Sequence, residues 1–110
     1  MATSFVFNRV NINGIPCLES RSITETATGV TFNFDASPSV SPRFSGIIAI
    51  RITDTPTTTT LPVSFNVPSI AGTTIAVSTF AGATATGADL EEGIHIVFYD
   101  RSNGILQLLV

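Results

Sequence analysis

The stretch Val30-Thr31-Phe32-Asn33-Phe34-Asp35 alternates apolar and polar side chains with a period of two. Successive side chains of a β-strand point to opposite faces of a sheet, so this pattern predicts a strand with one buried and one hydrated face. The same alternation recurs outward along the chain, at 5–10, 61–68 and 74–78. Turns containing Gly or Pro separate these runs, which is typical of short strands in an antiparallel sandwich or barrel.

These signals predict an all-β fold. We expect an antiparallel β-sandwich, of jelly-roll or immunoglobulin-like type, with seven to eight strands. The 110 residues are enough for one domain, so the sandwich is expected to span 1–110. Pro62 and Pro68 cannot donate to a ladder, which predicts an edge strand at 61–68.

One short helical turn is expected near 86–93. Thr86 or Asp89 is suited to cap its start, and Gly93 is suited to its exit. Leu90 would then attach the turn to the core.

Three runs are apolar on both faces: 46–52, 94–99 and 105–110. A two-layer sandwich has one core and covers one face of each strand. The second face is therefore expected to contact a packed loop or a neighbouring chain. The residues predicted for such a partner interface are Ile105, Leu106, Leu108, Val110, Ile47 and Val97.

The composition argues against several further classes of function. Only 12% of the residues are charged and the net charge is −3, with five arginines and no lysine. Nucleic-acid binding needs a basic stripe that this chain lacks. There is no apolar run of the length that spans a membrane, and the N-terminus lacks the basic start and apolar core of a signal peptide.

Residues that carry chemistry are few. Cys17 is the single cysteine and is expected to be a buried, inert side chain, and His95 is the single histidine, too few for the usual zinc sets. A Cys17–His95 nucleophile pair is formally open, although no nucleophile motif surrounds Cys17.

The carboxylates give no catalytic signature. Asp89, Glu91 and Glu92 do not follow the spacing of a calcium loop, and we expect them to serve capping and solubility. Asp35, Asp54 and Asp100 stand where turns favour Asp, without evidence that any two converge as in glycosidases. We therefore predict that the chain is not an enzyme and has no catalytic, cofactor-binding or metal-binding residue.

Aromatic side chains leave one alternative open. The eight Phe lie mostly at strand positions and are expected in the core, Phe80 among them. Tyr99 is the exception, because it adjoins a turn and has a polar group. A ligand loop for a glycan is predicted from Tyr99, Arg101 and Thr84, the last within the small-residue segment 81–87.

The C-terminal part resembles a known pattern. The turn Asp89-Leu90-Glu91-Glu92-Gly93 leads into an apolar strand, a Tyr99-Asp100 turn and a final Leu-rich strand. This segment, 86–109, resembles small virion proteins of tailed bacteriophages, and the run 61–68 fits the same setting. The Thr/Ser-rich, Lys-free composition is similar to head decoration proteins and fibre-base domains. Auxiliary capsid proteins of crAss-like gut phages are the family it resembles most.

The resemblance implies a structural role in a virion. The expected function is to decorate or cement a phage capsid through contacts with the major capsid protein or a fibre. The chain would act as a homo-oligomer or bound to the assembly, on the capsid or fibre surface, after synthesis in the host cytoplasm. The alternative is a receptor- or glycan-binding module on the virion surface.

Overall fold

Eight strands form one sheet in the computed structural model, which describes residues 11–12, 15–34, 44–68, 70 and 72–109. These residues include one 3-10 turn, Gly87–Asp89, which lies between the sixth and seventh strands. The strands are β1 (Asn11–Ile12), β2 (Ile15–Glu25), β3 (Val30–Phe34), β4 (Gly46–Ile52), β5 (Val63–Asn66), β6 (Ile75–Ser78), β7 (Gly93–Asp100) and β8 (Ile105–Leu108).

Seven of these strands close into a barrel. They follow the order β2-β3-β5-β6-β8-β7-β4, and β4 pairs with β2 to complete the ring. The β2–β4, β3–β5 and β6–β8 pairs are parallel and the other four are antiparallel. The all-β prediction is therefore confirmed, but the antiparallel sandwich is wrong: the protein is a closed, mixed seven-stranded β-barrel.

The strand order explains this correction. Consecutive strands run in opposite directions along the chain, and β2–β3, β5–β6 and β7–β8 pair as local neighbours. However, β4 inserts between β2 and β7, and β8 inserts between β6 and β7. We call the end of the barrel where β2, β4, β6 and β8 finish the upper end. A period of two specifies strands but not which strands become neighbours, so the closing pairs are invisible in the pattern.

The inward-facing side chains fill the barrel. Phe65 packs edge-on against Phe32, with ring centroids 5.9 Å apart, and against Phe34 at 4.9 Å. The strand β3 has the predicted alternation, with Val30, Phe32 and Phe34 buried. The other buried members of this core include Leu18, Ile48, Ile50, Ile52, Val63, Val77, Val97, Leu106 and Leu108.

The segment at 61–68 is not an edge strand. Its paired part, β5, begins after Pro62, ends before Pro68 and has a neighbour on each side, β3 and β6. Pro62 contributes its carbonyl oxygen, which accepts a hydrogen bond from Val30 N at 2.9 Å. The prediction of an edge is wrong because the two prolines flank the ladder and so do not interrupt it. The strand predicted at 5–10 lies outside the described residues.

Two loops, 53–62 and 79–92, pack together at the upper end. Leu90 is fully buried there, as predicted, and the Thr86 N–H donates to the Asp89 carboxylate at 2.9 Å. A Cβ on Gly87 would lie 3.0 Å from Pro56 Cγ and from the Thr58 carbonyl oxygen, so only glycine fits this approach without a shift. The helical turn is therefore shorter than expected and is held in place by the neighbouring loop.

Glu25, at the end of β2, holds the 53–62 loop. Its carboxylate accepts a hydrogen bond from Thr57 N at 3.2 Å and one from Thr57 Oγ1 at 2.9 Å. The backbone bond, followed by the hydroxyl bond, lowers the pKa of Glu25 below its usual 4.5. Because the folded-state pKa is depressed, the stabilisation is complete above the unfolded value and is lost as pH falls through the folded one.

We expect Glu25→Gln to lower the melting temperature at pH 7 because an amide replaces the bidentate acceptor. The difference from the wild-type protein should be smaller at about pH 3 than at pH 7, because the stabilisation is lost as the pH falls through the lowered pKa of the wild-type carboxylate. Thermal unfolding at the two pH values measures it, with Glu92→Gln as the control for losing an exposed carboxylate. An equal difference at both pH values would show that the ionised carboxylate is not the stabilising group.

Candidate protein-binding surface

The outer surface of the barrel has an apolar side. Cys17, Ala49 and Ile96 are aligned across β2, β4 and β7 and form a hydrophobic cluster separate from the barrel core. The side chains on either side of them along β4, Ile48 and Ile50, belong to the core. Because side chains alternate between faces, the Cys17–Ala49–Ile96 cluster lies on the outside.

Adjacent rows extend this cluster. Ile47 is aligned with Phe98, and Arg51 with Ile94, on the same outer face of β4 and β7. Ile47 and Ile94 are each 44% exposed, and Ile15 on β2 is 40% exposed. We call this set the outer apolar face; its members are Ile15, Cys17, Ile47, Ala49, Ile94, Ile96, Phe98, Ile105 and Leu109.

The opposite side of the barrel is polar and internally bonded. On β3 and β5, Thr31 Oγ1 lies 3.1 Å from Ser64 Oγ, and Asn66 Nδ2 donates to Asn33 Oδ1 at 3.1 Å. Asn33 Nδ2 also donates to Thr24 Oγ1 on β2 at 3.0 Å. Since these polar groups already bond to one another, the contrast singles out the outer apolar face as the side suited to a partner.

Charged side chains stand at the upper margin of this face. Arg51 Nη1 lies 3.5 Å from Glu19 Oε2, and Arg21 Nη1 lies 3.8 Å from Glu19 Oε1. On the β7 side, Glu91 and Glu92 are exposed just before the strand begins. The centre of the face, from Ile47 to Ile96, carries none of these charges.

The predicted partner interface is divided between inside and outside. Ile47 and Ile105 lie on the outer face, Ile47 more exposed than Ile105. Val97, Leu106 and Leu108 are buried in the barrel core, so they cannot contact a partner in this fold. Val110 lies outside the described residues. These three residues lie inside the barrel because alternation places each strand's two apolar sets on opposite faces.

The predicted ligand loop is not assembled. Tyr99 is buried in the core, and its carbonyl oxygen accepts a hydrogen bond from Ser45 Oγ at 3.1 Å. Arg101 is in the turn before β8, whereas Thr84 forms an isolated bridge with Ser78 at the end of β6. Because β6 and β8 are parallel, these two positions are at opposite ends of the barrel.

The residues considered as catalytic candidates are likewise far from one another. Cys17 is buried, as expected, on the outer side, while His95 is aligned with the core residue Ile50 on the inner side, so a Cys17–His95 pair does not form. His95 Nε2 lies 2.8 Å from the Glu91 carbonyl oxygen. Asp54 follows β4 at the upper end and Asp100 ends β7 at the lower end, while Asp35 lies outside the described residues.

Sequence reasoning missed three of the four large apolar side chains that are exposed among the described residues: Ile15, Phe80 and Ile94. Ile94, Ile96 and Phe98 form the outer row of β7, whereas the residues predicted from that strand were Val97 for the partner interface and Tyr99 for the ligand loop. Phe80 is 72% exposed in the turn after β6, so its placement in the core is wrong. One face of β7 is uniformly apolar, whereas the other carries His95 and Tyr99. The sequence shows this difference between the two faces but does not reveal which of them points outward.

The fold and this surface define a closed β-barrel with a one-sided apolar exterior. Comparison with protein-family models, curated proteins and solved structures finds no match to this chain. In the part of the chain that the structure describes, no three His, Cys, Asp or Glu residues are grouped as a metal site would require. No helix within those same residues has the length and apolarity to cross a membrane.

Proposed function

We propose that this chain is a non-enzymatic structural protein of a tailed-phage virion, which decorates or cements the capsid by binding other virion proteins. The observation that supports the proposal is the outer apolar face, with Ile47 and Ile94 each 44% exposed beside the Cys17–Ala49–Ile96 cluster. The resemblance of 86–109 to small virion proteins gives the class of partner.

The energetics of such a surface favour protein contact. Each square ångström of apolar area removed from water contributes about 25 cal/mol, and a shell repeats one contact many times. Desolvation costs are small at the centre of the face, because Glu19 and Arg51 stand at its margin and already neutralise each other at 3.5 Å. The polar side, with its bonded Thr31–Ser64 and Asn33–Asn66 pairs, would remain in water.

The proposal is tested with purified capsids of the phage whose genome encodes the chain. The wild-type protein should sediment with capsids up to a fixed number of copies per particle. Ile94→Asp places a carboxylate in the contact and should raise the dissociation constant at least tenfold, or by about 1.4 kcal/mol.

The matched control is Thr24→Asp, which adds the same carboxylate on the polar side, where Thr24 Oγ1 already accepts a hydrogen bond from Asn33. This variant should bind capsids as the wild-type protein does. If the folded wild-type protein does not sediment with capsids, and antibodies against it do not label purified virions, the proposed function is wrong.

A further inference from the structure

We infer that Asn103 is a site of spontaneous modification, where the Gly104 backbone nitrogen attacks the side-chain amide, and that Asp100 sets the rate by holding the turn closed. The site lies in the turn between β7 and β8, at the lower end of the barrel. The inference is argued from the hydrogen bonds of this turn and does not depend on the proposed function.

The pair Asn103-Gly104 supplies both reacting groups. The Gly104 nitrogen forms a bond to Cγ of Asn103, and the amide nitrogen leaves as ammonia, which takes up the proton that Gly104 loses. The product is a five-membered succinimide ring, which water opens at either carbonyl to give aspartate or isoaspartate. Glycine has no Cβ, so no side chain on the second residue shields the attacking nitrogen.

Packing does not restrain this turn. All four of its residues, 101–104, are exposed to water. A Cβ built on Gly104 would have no atom within 4 Å among the described residues, apart from those of its own chain neighbours. Any protection of Asn103 in the folded protein must therefore come from the hydrogen bonds of the turn itself.

Two hydrogen bonds hold the two reacting groups, and Asp100 accepts both. Asn103 Nδ2 donates to Asp100 Oδ2 at 2.7 Å, which fixes the side-chain amide. Gly104 N donates to the carbonyl oxygen of Asp100 at 2.8 Å. Because a hydrogen bond weakens steeply when it is bent, the Gly104 nitrogen must give up this bond before it can turn toward Cγ of Asn103.

The Asp100 carboxylate also organises the rest of the turn. Ser102 Oγ donates to Asp100 Oδ1 at 2.7 Å, and Asn103 N donates to the same oxygen at 3.4 Å. The bond from Ser102, followed by the one from Asn103, lowers the pKa of Asp100 below its usual 3.8, so this acceptor is ionised at neutral pH. The reaction then proceeds from the fraction of molecules in which the turn has opened locally.

The modification would weaken the adjoining ladder. Asp100 is aligned with Ile105 and Tyr99 with Leu106, at the end of the β7–β8 pair next to the turn. Isoaspartate at position 103 routes the main chain through the side-chain carbon and adds one atom to this connection. Either product also adds a carboxylate near Asp100, in a chain whose net charge is already −3.

Peptide mapping by mass spectrometry tests the inference on the purified full chain, kept at neutral pH and one temperature. The folded wild-type protein should lose the Asn103 amide at least about tenfold more slowly than the same chain unfolded in guanidinium chloride. The other Asn-Gly pair of the sequence, Asn13-Gly14, is the internal reference for the unfolded chain. Enzymatic methylation of isoaspartate identifies the product.

Three variants test the role of Asp100. Asp100→Ala should speed the loss of the Asn103 amide about tenfold in the folded protein, because it removes an ionised acceptor from the closed turn. Ser102→Ala leaves the bond between Asn103 and Asp100 in place and should change the rate less than about threefold. Asp54→Ala removes an exposed carboxylate at the upper end and should leave the rate unchanged.

Circular dichroism confirms that each variant is folded, and the rates are measured again in guanidinium chloride. Asp100→Ala and the wild-type protein should then react equally fast, because the closed turn no longer exists in either chain.

Each result decides one part of the inference. An unchanged rate in folded Asp100→Ala overturns the role of Asp100, as does an equal acceleration in Ser102→Ala. An unfolded chain that keeps the Asn103 amide while Asn13 loses its own overturns the modification site. Binding to capsids is measured separately, so a failure of the proposed function leaves these rates and their interpretation unchanged.

Discussion

Leu108→Asp is expected to abolish folding, whereas Ile94→Asp leaves the barrel folded. Leu108 is buried on β8, aligned with Val97, and both belong to the barrel core. The substitution removes a buried Leu, which costs about 2–5 kcal/mol, and it also places a carboxylate in an apolar interior. Because native domains are stable by only about 5–15 kcal/mol in total, the sum removes most or all of the stability.

Ile94→Asp is the matched comparison because it makes the same charge change on the neighbouring strand. Its side chain is on the outer face and 44% exposed, so the new carboxylate stays hydrated. Far-ultraviolet circular dichroism and urea unfolding measure both variants. Cooperative unfolding of Leu108→Asp with the midpoint of the wild-type protein would show that Leu108 does not line the interior.

Much of the secondary structure follows from the sequence wherever one face is polar. In β3, the alternation of Val30, Phe32 and Phe34 with Thr31 and Asn33 predicts one orientation of the strand, with the apolar set inside. The structure buries that apolar set. A shift of one residue would expose three large apolar side chains and bury two polar ones. The register of such a strand is therefore fixed by the hydrophobic effect alone.

That reasoning fails where both faces of a strand are apolar. In β7 one set is Ile94, Ile96 and Phe98, and the other includes His95, Val97 and Tyr99. The polar groups suggest that the second set faces water, yet Val97 and Tyr99 are buried. His95 lies near the upper end, where its ring nitrogen reaches the Glu91 carbonyl oxygen, a contact that only the folded loop provides.

Barrel closure is hidden from the sequence for a different reason. Each parallel ladder of the barrel joins two strands that have another strand between them in the sequence. Cys17 on β2 aligns with Ala49 on β4, and Ala76 on β6 aligns with Ile105 on β8. Pairings of this kind depend on how the connecting loops cross the ends of the barrel, which is a property of the whole chain. The outer apolar face depends on the whole chain in the same way, because its rows form only once β2, β4 and β7 are neighbours.

Phe65→Ala is expected to cost about 3–5 kcal/mol of unfolding free energy, the usual range for truncating a buried Phe. Phe65 is almost fully buried and contacts both Phe32 and Phe34, with centroid distances of 5.9 and 4.9 Å. These three rings join β3 to β5 across a parallel ladder, so a cavity here weakens one of the long-range pairs that close the barrel.

Phe80→Ala is the control because it removes the same ring from a position that is 72% exposed. Its effect should be within about 0.5 kcal/mol, as for most surface substitutions. Urea unfolding should show a lower midpoint for Phe65→Ala with an unchanged slope, since the slope reports the area exposed on unfolding. If the two truncations cost the same, the aromatic contacts of Phe65 are not what holds β3 and β5 together.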